Sequence, residues 1–116
     1  MIQVYHLARL DRDDWRFDSI FFPGIDQSED HTTLVAVLSL IGERKYHLVA
    51  EVDTDMEGAF QMTNSINMPW YDSDHRSLHP VPGRHRSTSV GDLLVTAEGT
   101  FMVDAIGFTK IIDRLP

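Results

Sequence analysis

The residues with the most reactive side chains lie close together at 84–92, in the last third of the chain. Arg84, His85, Arg86 and Ser87 bring two guanidinium groups, an imidazole and a hydroxyl side by side. A guanidinium can donate two parallel hydrogen bonds to a carboxylate or a phosphate, so Arg86 is a candidate for holding an anion. The alternative for Arg86 is an internal salt bridge with one of the many carboxylates of the chain.

The residues that follow have the chemistry of a tight turn. Ser89 and Asp92 can accept hydrogen bonds from nearby backbone amides, and Gly91 between them supplies conformational freedom. We therefore interpret Ser89 to Asp92 as turn-forming residues. This leaves Arg86 and Ser87 as the functional candidates of the motif.

Three histidines and two aspartates share the segment before this motif: His75, His79, His85, Asp72 and Asp74. Such residues can ligate zinc or another transition metal, but their spacing matches no established zinc motif. The chain has no cysteine, so thiolate ligands and a thiol nucleophile are excluded. Neither a phosphate-binding glycine loop nor a serine-nucleophile motif is present. We expect solvated histidines, no metal, no cofactor and no catalytic residues.

The formal charge of −8 argues against nucleic-acid binding by electrostatic attraction over the whole chain. The acidity belongs to residues 1–74, with fourteen acidic and five basic residues, whereas residues 75–116 hold four and five. Either the acidic part is simply a solvated surface, or it is a face that occupies a basic partner. Direct nucleic-acid binding through Arg76, Arg84, Arg86 and Trp70 ranks below protein binding and below an enzyme or ligand-binding module.

Length and hydropathy indicate one domain at 1–116, because 116 residues is an ordinary single-domain size. The longest apolar stretch, from Leu34 to Ile41, is far shorter than the roughly 20 residues of a membrane span. The first residues lack the pattern of a secretory signal. We expect a cytoplasmic protein without a membrane span, and the composition leaves its oligomeric state open.

Periodicity predicts an α+β fold with a small mixed or antiparallel sheet of about four to five strands, open or partly closed into a barrel, and two or three short helices. In residues 33–41 the apolar spacing favours a helix, although a buried strand is the alternative. In the strand at 46–52, alternation predicts that every second residue from Tyr46 faces one way. The predicted strands are 2–8, 46–52, 93–95, 101–106 and 109–112, and the predicted helices begin at Asp11, Thr32 or Thr33, and Asp55.

A cluster of large apolar residues follows the first strand. Core packing is the first interpretation of this cluster, and a hydrophobic partner site is the alternative. Its members are Trp15, Phe17, Ile20, Phe21 and Phe22.

The segment 66–85 has no periodicity and contains three prolines. A loop of this length inside one domain is usually a functional loop or a mobile one. Trp70 and Tyr71 are typical interface anchors, and Asn64 lies at the helix end that leads into the loop. We therefore expect specificity to reside in this loop.

Three stretches carry a resemblance to a known family: AFQMTNSINMPW at 59–70, RSTSVGD at 86–92 and VDAIGF at 103–108. In this order they resemble small uncharacterised bacterial and phage proteins, and the last two are similar to the YodL-like domain of mobile-element proteins. The resemblance covers about residues 46–112. It implies an accessory domain of unknown activity, from a phage or other mobile element or of an actinobacterial type, and it supplies no catalytic residues.

These observations favour a non-enzymatic, acidic protein-interaction domain. The alternative is an enzyme or ligand-binding module with a pocket under the 66–85 loop, in which Arg86 holds an anion and His85 or a nearby Asp acts as acid or base. The candidate ligand- or partner-binding residues are Asn64, Trp70, Tyr71, Arg84, His85, Arg86 and Ser87.

Overall fold

The computed structural model describes residues 1–22, 32–65 and 69–114. These residues form an α+β fold, as the sequence predicts. No helix in these three stretches is long and apolar enough to cross a membrane. The elements in chain order are β1 (Ile2–Leu7), α1 (Trp15–Phe21), α2 (Thr32–Gly42), β2 (Tyr46–Val52), α3 (Met56–Met62), a 3₁₀ helix (Trp70–Asp72), β3 (Leu78–Pro80), β4 (Leu93–Thr96), β5 (Gly99–Val103) and β6 (Phe108–Ile112).

The strands form one open, antiparallel sheet in the order β3-β2-β1-β4-β5-β6. The sheet has one strand more than expected, because β3 lies inside the predicted 66–85 loop. The described part of this segment, residues 69–85, therefore contains both a strand and the 3₁₀ helix. Residues 66–68 lie outside the described residues. The predicted hairpin and terminal strand are confirmed as β4, β5 and β6.

The central strand β1 is covered on both faces, as its large side chains predict. Ile2 and Val4 pack in the core beneath α3 and the 3₁₀ helix, whereas Leu7 packs in the core beneath α1 and α2. A residue on a strand alternates between faces, so His6 points to the α3 side with Val4. The sheet therefore separates two hydrophobic cores and contributes to both.

The simple alternation predicted for β2 is wrong at one point. The pairing of β1 with β2 shifts by one residue between Val4 and Tyr5, so two residues of β2 occupy a place where regular pairing allows one. Tyr46 consequently packs with the α1–α2 core, whereas Ala50 and Val52 pack with the α3 core.

Residues 32–42 form the helix α2, which agrees with the favoured interpretation of the 33–41 stretch. Its buried residues are Ala36, Val37 and Leu40, at the spacing of one helix face. The apolar spacing predicts a different stripe, formed by Leu34, Val37, Leu38 and Ile41. That prediction is wrong except at Val37, and Leu38 is exposed. The alternative of a buried strand fails because only one side of this segment is buried.

Helix α1 begins later than predicted, at Trp15 instead of Asp11. Asp14 is its N-cap, because the carboxylate accepts a hydrogen bond of 2.9 Å from the backbone amide of Arg16. The Arg16 guanidinium is buried and pairs with both Asp14 and Glu43, which joins the start of α1 to the end of α2. The hydrogen bonds from Arg16 lower the pKa of Asp14 to about 2.

Candidate functional site

Asp92 is the centre of the polar network that the 84–92 motif builds. Its side chain is 0% exposed, directly before β4. The carboxylate accepts hydrogen bonds of 2.8 Å from the backbone amides of both Leu7 and Ser89. The two Nη atoms of Arg86 donate to its two oxygens at 2.7 and 2.6 Å. A buried carboxylate is costly without such partners, and these four donors satisfy both of its oxygens.

Arg86 makes the internal salt bridge that the sequence leaves open as an alternative. Nη2 also donates to the carbonyl of Leu7 at 2.9 Å, and Nη1 donates to the carbonyl of Ser87 at 3.0 Å. The hydrogen bonds to Asp92 raise the pKa of Arg86. Both terminal nitrogens are thus occupied by protein oxygens, so an external anion would meet a guanidinium whose charge is already balanced. Anion binding by Arg86 stays a prediction.

A chain of buried hydroxyls connects His6 to helix α3. Thr63 Oγ donates to the carbonyl of Ala59 at 2.8 Å, and Thr88 Oγ lies 2.7 Å from Thr63 Oγ. Each hydroxyl has one proton, so Thr88 donates to Thr63 and accepts from His6 Nε2 at 2.8 Å. This order assigns the proton of the neutral imidazole to Nε2.

His6 is held in the neutral form. Burial lowers its pKa to about 4; the carboxylate of Asp92, 3.9 Å from Nε2, opposes this shift, and Arg86 adds to it. The Asp, His and Thr side chains resemble a catalytic set in type, but His6, Thr88 and Asp92 are all buried. A general base must reach the proton that it removes, so this arrangement is suited to holding the fold rather than to catalysis.

Asn64 and Ser87 join the end of α3 to the 84–92 motif. Asn64 Nδ2 donates to the carbonyl of Thr88 at 2.5 Å, and Ser87 Oγ donates to the carbonyl of Ser65 at 2.9 Å. Two predicted site residues are therefore brought together with Arg86, and their side chains serve as tethers between chain segments.

The buried Trp70 and the half-buried His85 form an aromatic pair on the α3 side of the sheet. Trp70 Nε1 donates to the carbonyl of Arg86 at 2.9 Å. The ring of His85 stacks on it with 5.6 Å between centroids, and His85 Nε2 donates to the carbonyl of Val81 at 2.7 Å. Because Trp70 is buried, its indole is not available to stack on a nucleic-acid base.

Of the predicted site residues, only Arg84 and Arg86 are exposed. Arg84 is exposed and Tyr71 is half-buried. Both line a surface groove of about 650 Å³ beside β3. The predicted pocket would unite this segment with Arg86, but Arg86 lines a different cleft, of about 390 Å³. The remaining lining residues of the groove are Pro69, Asp72, Pro80, Val81, Pro82 and Gly83.

The loop histidines lie in separate environments. His75 and His79 are exposed, whereas His85 packs on Trp70. In the stretches 1–22, 32–65 and 69–114, no group of three or more His, Asp or Glu residues is arranged to hold a metal ion.

Sequence reasoning missed the part that Thr63 and Thr88 play in the network. Their signal is weak, because a threonine at a helix end or in a turn is common on a surface. His6 carries a clearer signal: it continues the inward alternation of Ile2 and Val4, which places an imidazole in the core.

Comparisons of the chain with protein-family models, with curated proteins and with solved structures found no match. The resemblance to YodL-like domains therefore stays a prediction from the quoted motifs.

Proposed function

We propose that this chain is a non-enzymatic protein-interaction domain, an accessory protein that works in the cytoplasm. The motif resemblance supports an origin in a phage or another mobile element. The absence of cysteine and the acidic surface are compatible with a reducing, protein-rich compartment.

The polar interior supports a structural role for the residues that otherwise suggest catalysis. Asp92, His6 and Thr88 are buried. His6 is hydrogen-bonded to Thr88, and Asp92 is hydrogen-bonded to the backbone amide of Leu7. Polar groups satisfied in this way specify the packing of a core. The side chains that a partner can contact therefore lie on the surface.

The exposed apolar side chains of α1 and α2 are the observation that carries the proposal. Trp15 is 57% exposed and Phe22 is 70% exposed. Trp15 is the first residue of α1 and Phe22 is the C-cap that follows its last residue. Val35 and Leu38 are three residues apart on α2 and share one face of that helix. Of the six exposed large hydrophobic residues in the described part, three belong to these two helices, and a fourth, Phe22, is the C-cap of α1. Trp is enriched among residues that dominate binding energy at interfaces.

The two helices are neighbours. Thr33 Oγ donates to the carbonyl of Ser19 at 2.6 Å, and Arg16 Nη1 donates to Ser39 Oγ at 3.0 Å. We name the four exposed side chains on or next to these neighbouring helices, Trp15, Phe22, Val35 and Leu38, the helical apolar face.

The charge around the helical apolar face indicates the kind of partner. Asp13 and Asp18 are exposed near Trp15, and residues 1–74 carry the acidic excess of the chain. An apolar centre with an acidic rim complements a partner whose apolar patch is bordered by Lys or Arg.

Affinity capture from a lysate of the source organism tests the proposal. The bait proteins are the wild type, the double variant Trp15→Ser/Val35→Ser, and the control Ile106→Ser, which removes a 95% exposed side chain at the β5–β6 turn. We expect a specific partner that the wild type and the control retain and the double variant loses. Equal retention by all three would contradict the helical apolar face, and no specific partner for folded wild type would contradict the proposed function.

A further inference from the structure

A second candidate site is distinct from the groove that Tyr71 and Arg84 line. The connection from β1 to α1 and the turn at 86–90 enclose a cleft of about 390 Å³. Phe17 and Phe21 form part of its wall, with ring centroids 4.9 Å apart. The cleft is lined by Leu7, Ala8, Arg9, Leu10, Asp11, Arg12, Phe17, Phe21, Arg86, Ser89 and Val90.

Three arginines lie in this cleft, in a chain whose formal charge is −8. The charge of Arg86 is balanced by Asp92, as its hydrogen bonds show. Arg9 and Arg12 are exposed and have no ion-pair partner among the residues that the structure describes. Asp11 offsets one of these two charges, so the cleft keeps one positive charge in excess.

The volume and the lining residues of the cleft indicate which class of ligand it can bind. Sites for small molecules have volumes of roughly 300–1,000 Å³, mainly apolar walls and a few polar groups that fix orientation. The lining of the cleft contains aromatic rings and Leu10 as well as guanidinium groups. A ligand that matches both has an apolar body and a single negative charge.

We propose that this cleft binds a small monoanionic carboxylate. The carboxylate accepts hydrogen bonds from Arg9 and Arg12, and its apolar body lies against Phe17 and Phe21. Arg86, which Asp92 fixes in place, forms a rigid part of the wall. This site is separate from the helical apolar face and does not depend on the proposed protein partner.

A titration of ¹⁵N-labelled protein with 4-phenylbutyrate, followed by amide NMR shifts, tests the site. We expect saturable shifts at residues 7–12 and 86–90, with a Kd in the millimolar range because a ligand of this size offers few contacts. Acetate lacks the apolar body and 4-phenylbutanol lacks the charge. Each should therefore bind at least about tenfold more weakly.

Charge-matched variants decide whether the arginines carry the binding. Arg9→Gln/Arg12→Gln should weaken 4-phenylbutyrate about tenfold, since two charged hydrogen-bond donors are lost. The control Arg76→Gln/Arg114→Gln removes two exposed arginines outside the cleft and should change the Kd less than twofold.

Three results would overturn the inference: no saturable shifts, shifts located elsewhere, or equal affinity of the two double variants. Amide shift dispersion reports whether each variant is folded. The variant Trp15→Ser/Val35→Ser should bind 4-phenylbutyrate like the wild type, so a failure of the partner proposal is distinguishable from a failure of this site.

Discussion

Asp92 shows how one buried carboxylate can organise distant parts of a chain. It contacts the backbone of β1 through Leu7, the turn through Ser89 and the guanidinium of Arg86. Each of these donors would be unsatisfied or would need water if the carboxylate were lost. The residue therefore belongs to the fold first, and its effect on any ligand is indirect.

Asp92→Asn should lower the free energy of unfolding by about 2 kcal/mol or more, because the amide loses the charge opposite Arg86 and its NH₂ group meets donors. Asp113→Asn is the control, since Asp113 makes an exposed ion pair with Lys110 and should change stability by less than about 1 kcal/mol. Urea unfolding at pH 7 measures both. A cost for Asp92→Asn no larger than for the control would contradict the structural role of Asp92.

His6 predicts a pH dependence with a defined sign. Its pKa is about 4 in the folded protein against 6.5 for an ordinary histidine, so between these values the unfolded chain binds a proton that the folded chain does not. The associated stability is fully present above about pH 6.5 and decreases as the pH falls towards 4. Between pH 7.5 and 5 we expect a loss of about 2 kcal/mol.

Urea unfolding of three proteins at these two pH values isolates the contribution. His6→Gln should lose most of the decrease, whereas His47→Gln, which changes the exposed cross-strand neighbour of His6, should keep it. An identical pH dependence of the wild type and His6→Gln would show that His6 is not the titrating group.

At the scale of elements, the turn before β4 is shaped by its contact with α1. Gly91 has a φ of +94°, and a Cβ at this position would lie 2.9 Å from Ile20 Cγ2. Tyr46 OH donates to the Gly91 carbonyl at 2.9 Å, and burial raises the pKa of that phenol. The glycine therefore satisfies two conditions, a left-handed backbone and a close approach of α1.

Gly91→Ala should destabilise the protein by about 2 kcal/mol or more, because strain in the backbone adds to a clash with Ile20. Gly107→Ala is a matched control: its φ of +77° is also positive, but no atom lies within 4 Å of the added Cβ. We expect about 1 kcal/mol for the control from the backbone alone. Equal thermal and urea stability of the two variants would contradict close packing between the turn and α1.

At the scale of the whole molecule, one sheet serves two cores. The α1–α2 core and the α3 core share β1, β4 and β5, which have residues in both. A core that loses its sheet loses the surface against which it packs. The two sides should therefore unfold in a single cooperative transition.

The two tryptophans allow this expectation to be measured, because Trp15 belongs to α1 and Trp70 lies in the α3 core. Trp15→Phe leaves Trp70 as the only indole, and Trp70→Phe leaves Trp15. In each variant, the denaturation midpoint from fluorescence should coincide with that from far-ultraviolet circular dichroism. A Trp15 transition at lower denaturant than the circular dichroism transition would show that α1 detaches before the sheet unfolds.

Local patterns in the sequence were sufficient for the fold class and for most elements. The strand β1, the hairpin of β4 and β5, and the helix α2 each depend on spacings of two or about four residues. Which side of α2 is buried did not follow from its spacing, because Ala36 and Leu40 are buried and Leu38 is exposed. These spacings follow from backbone geometry, so they can be read without knowing the rest of the molecule. The sequence did not predict β3, because a strand of three residues is too short to show a periodic pattern.

The partners of the candidate residues depend on the tertiary structure. Arg86 contacts Leu7 across 79 positions, and His6 contacts Thr88 across 82. A local pattern carries no information on which of eighteen carboxylates an arginine meets. The amino-acid sequence by itself determined that residues 84–92 form an arginine-rich turn before a hairpin. Only the folded chain decided that this turn is held to β1 through a buried carboxylate, because burial and distance arise when the strands assemble.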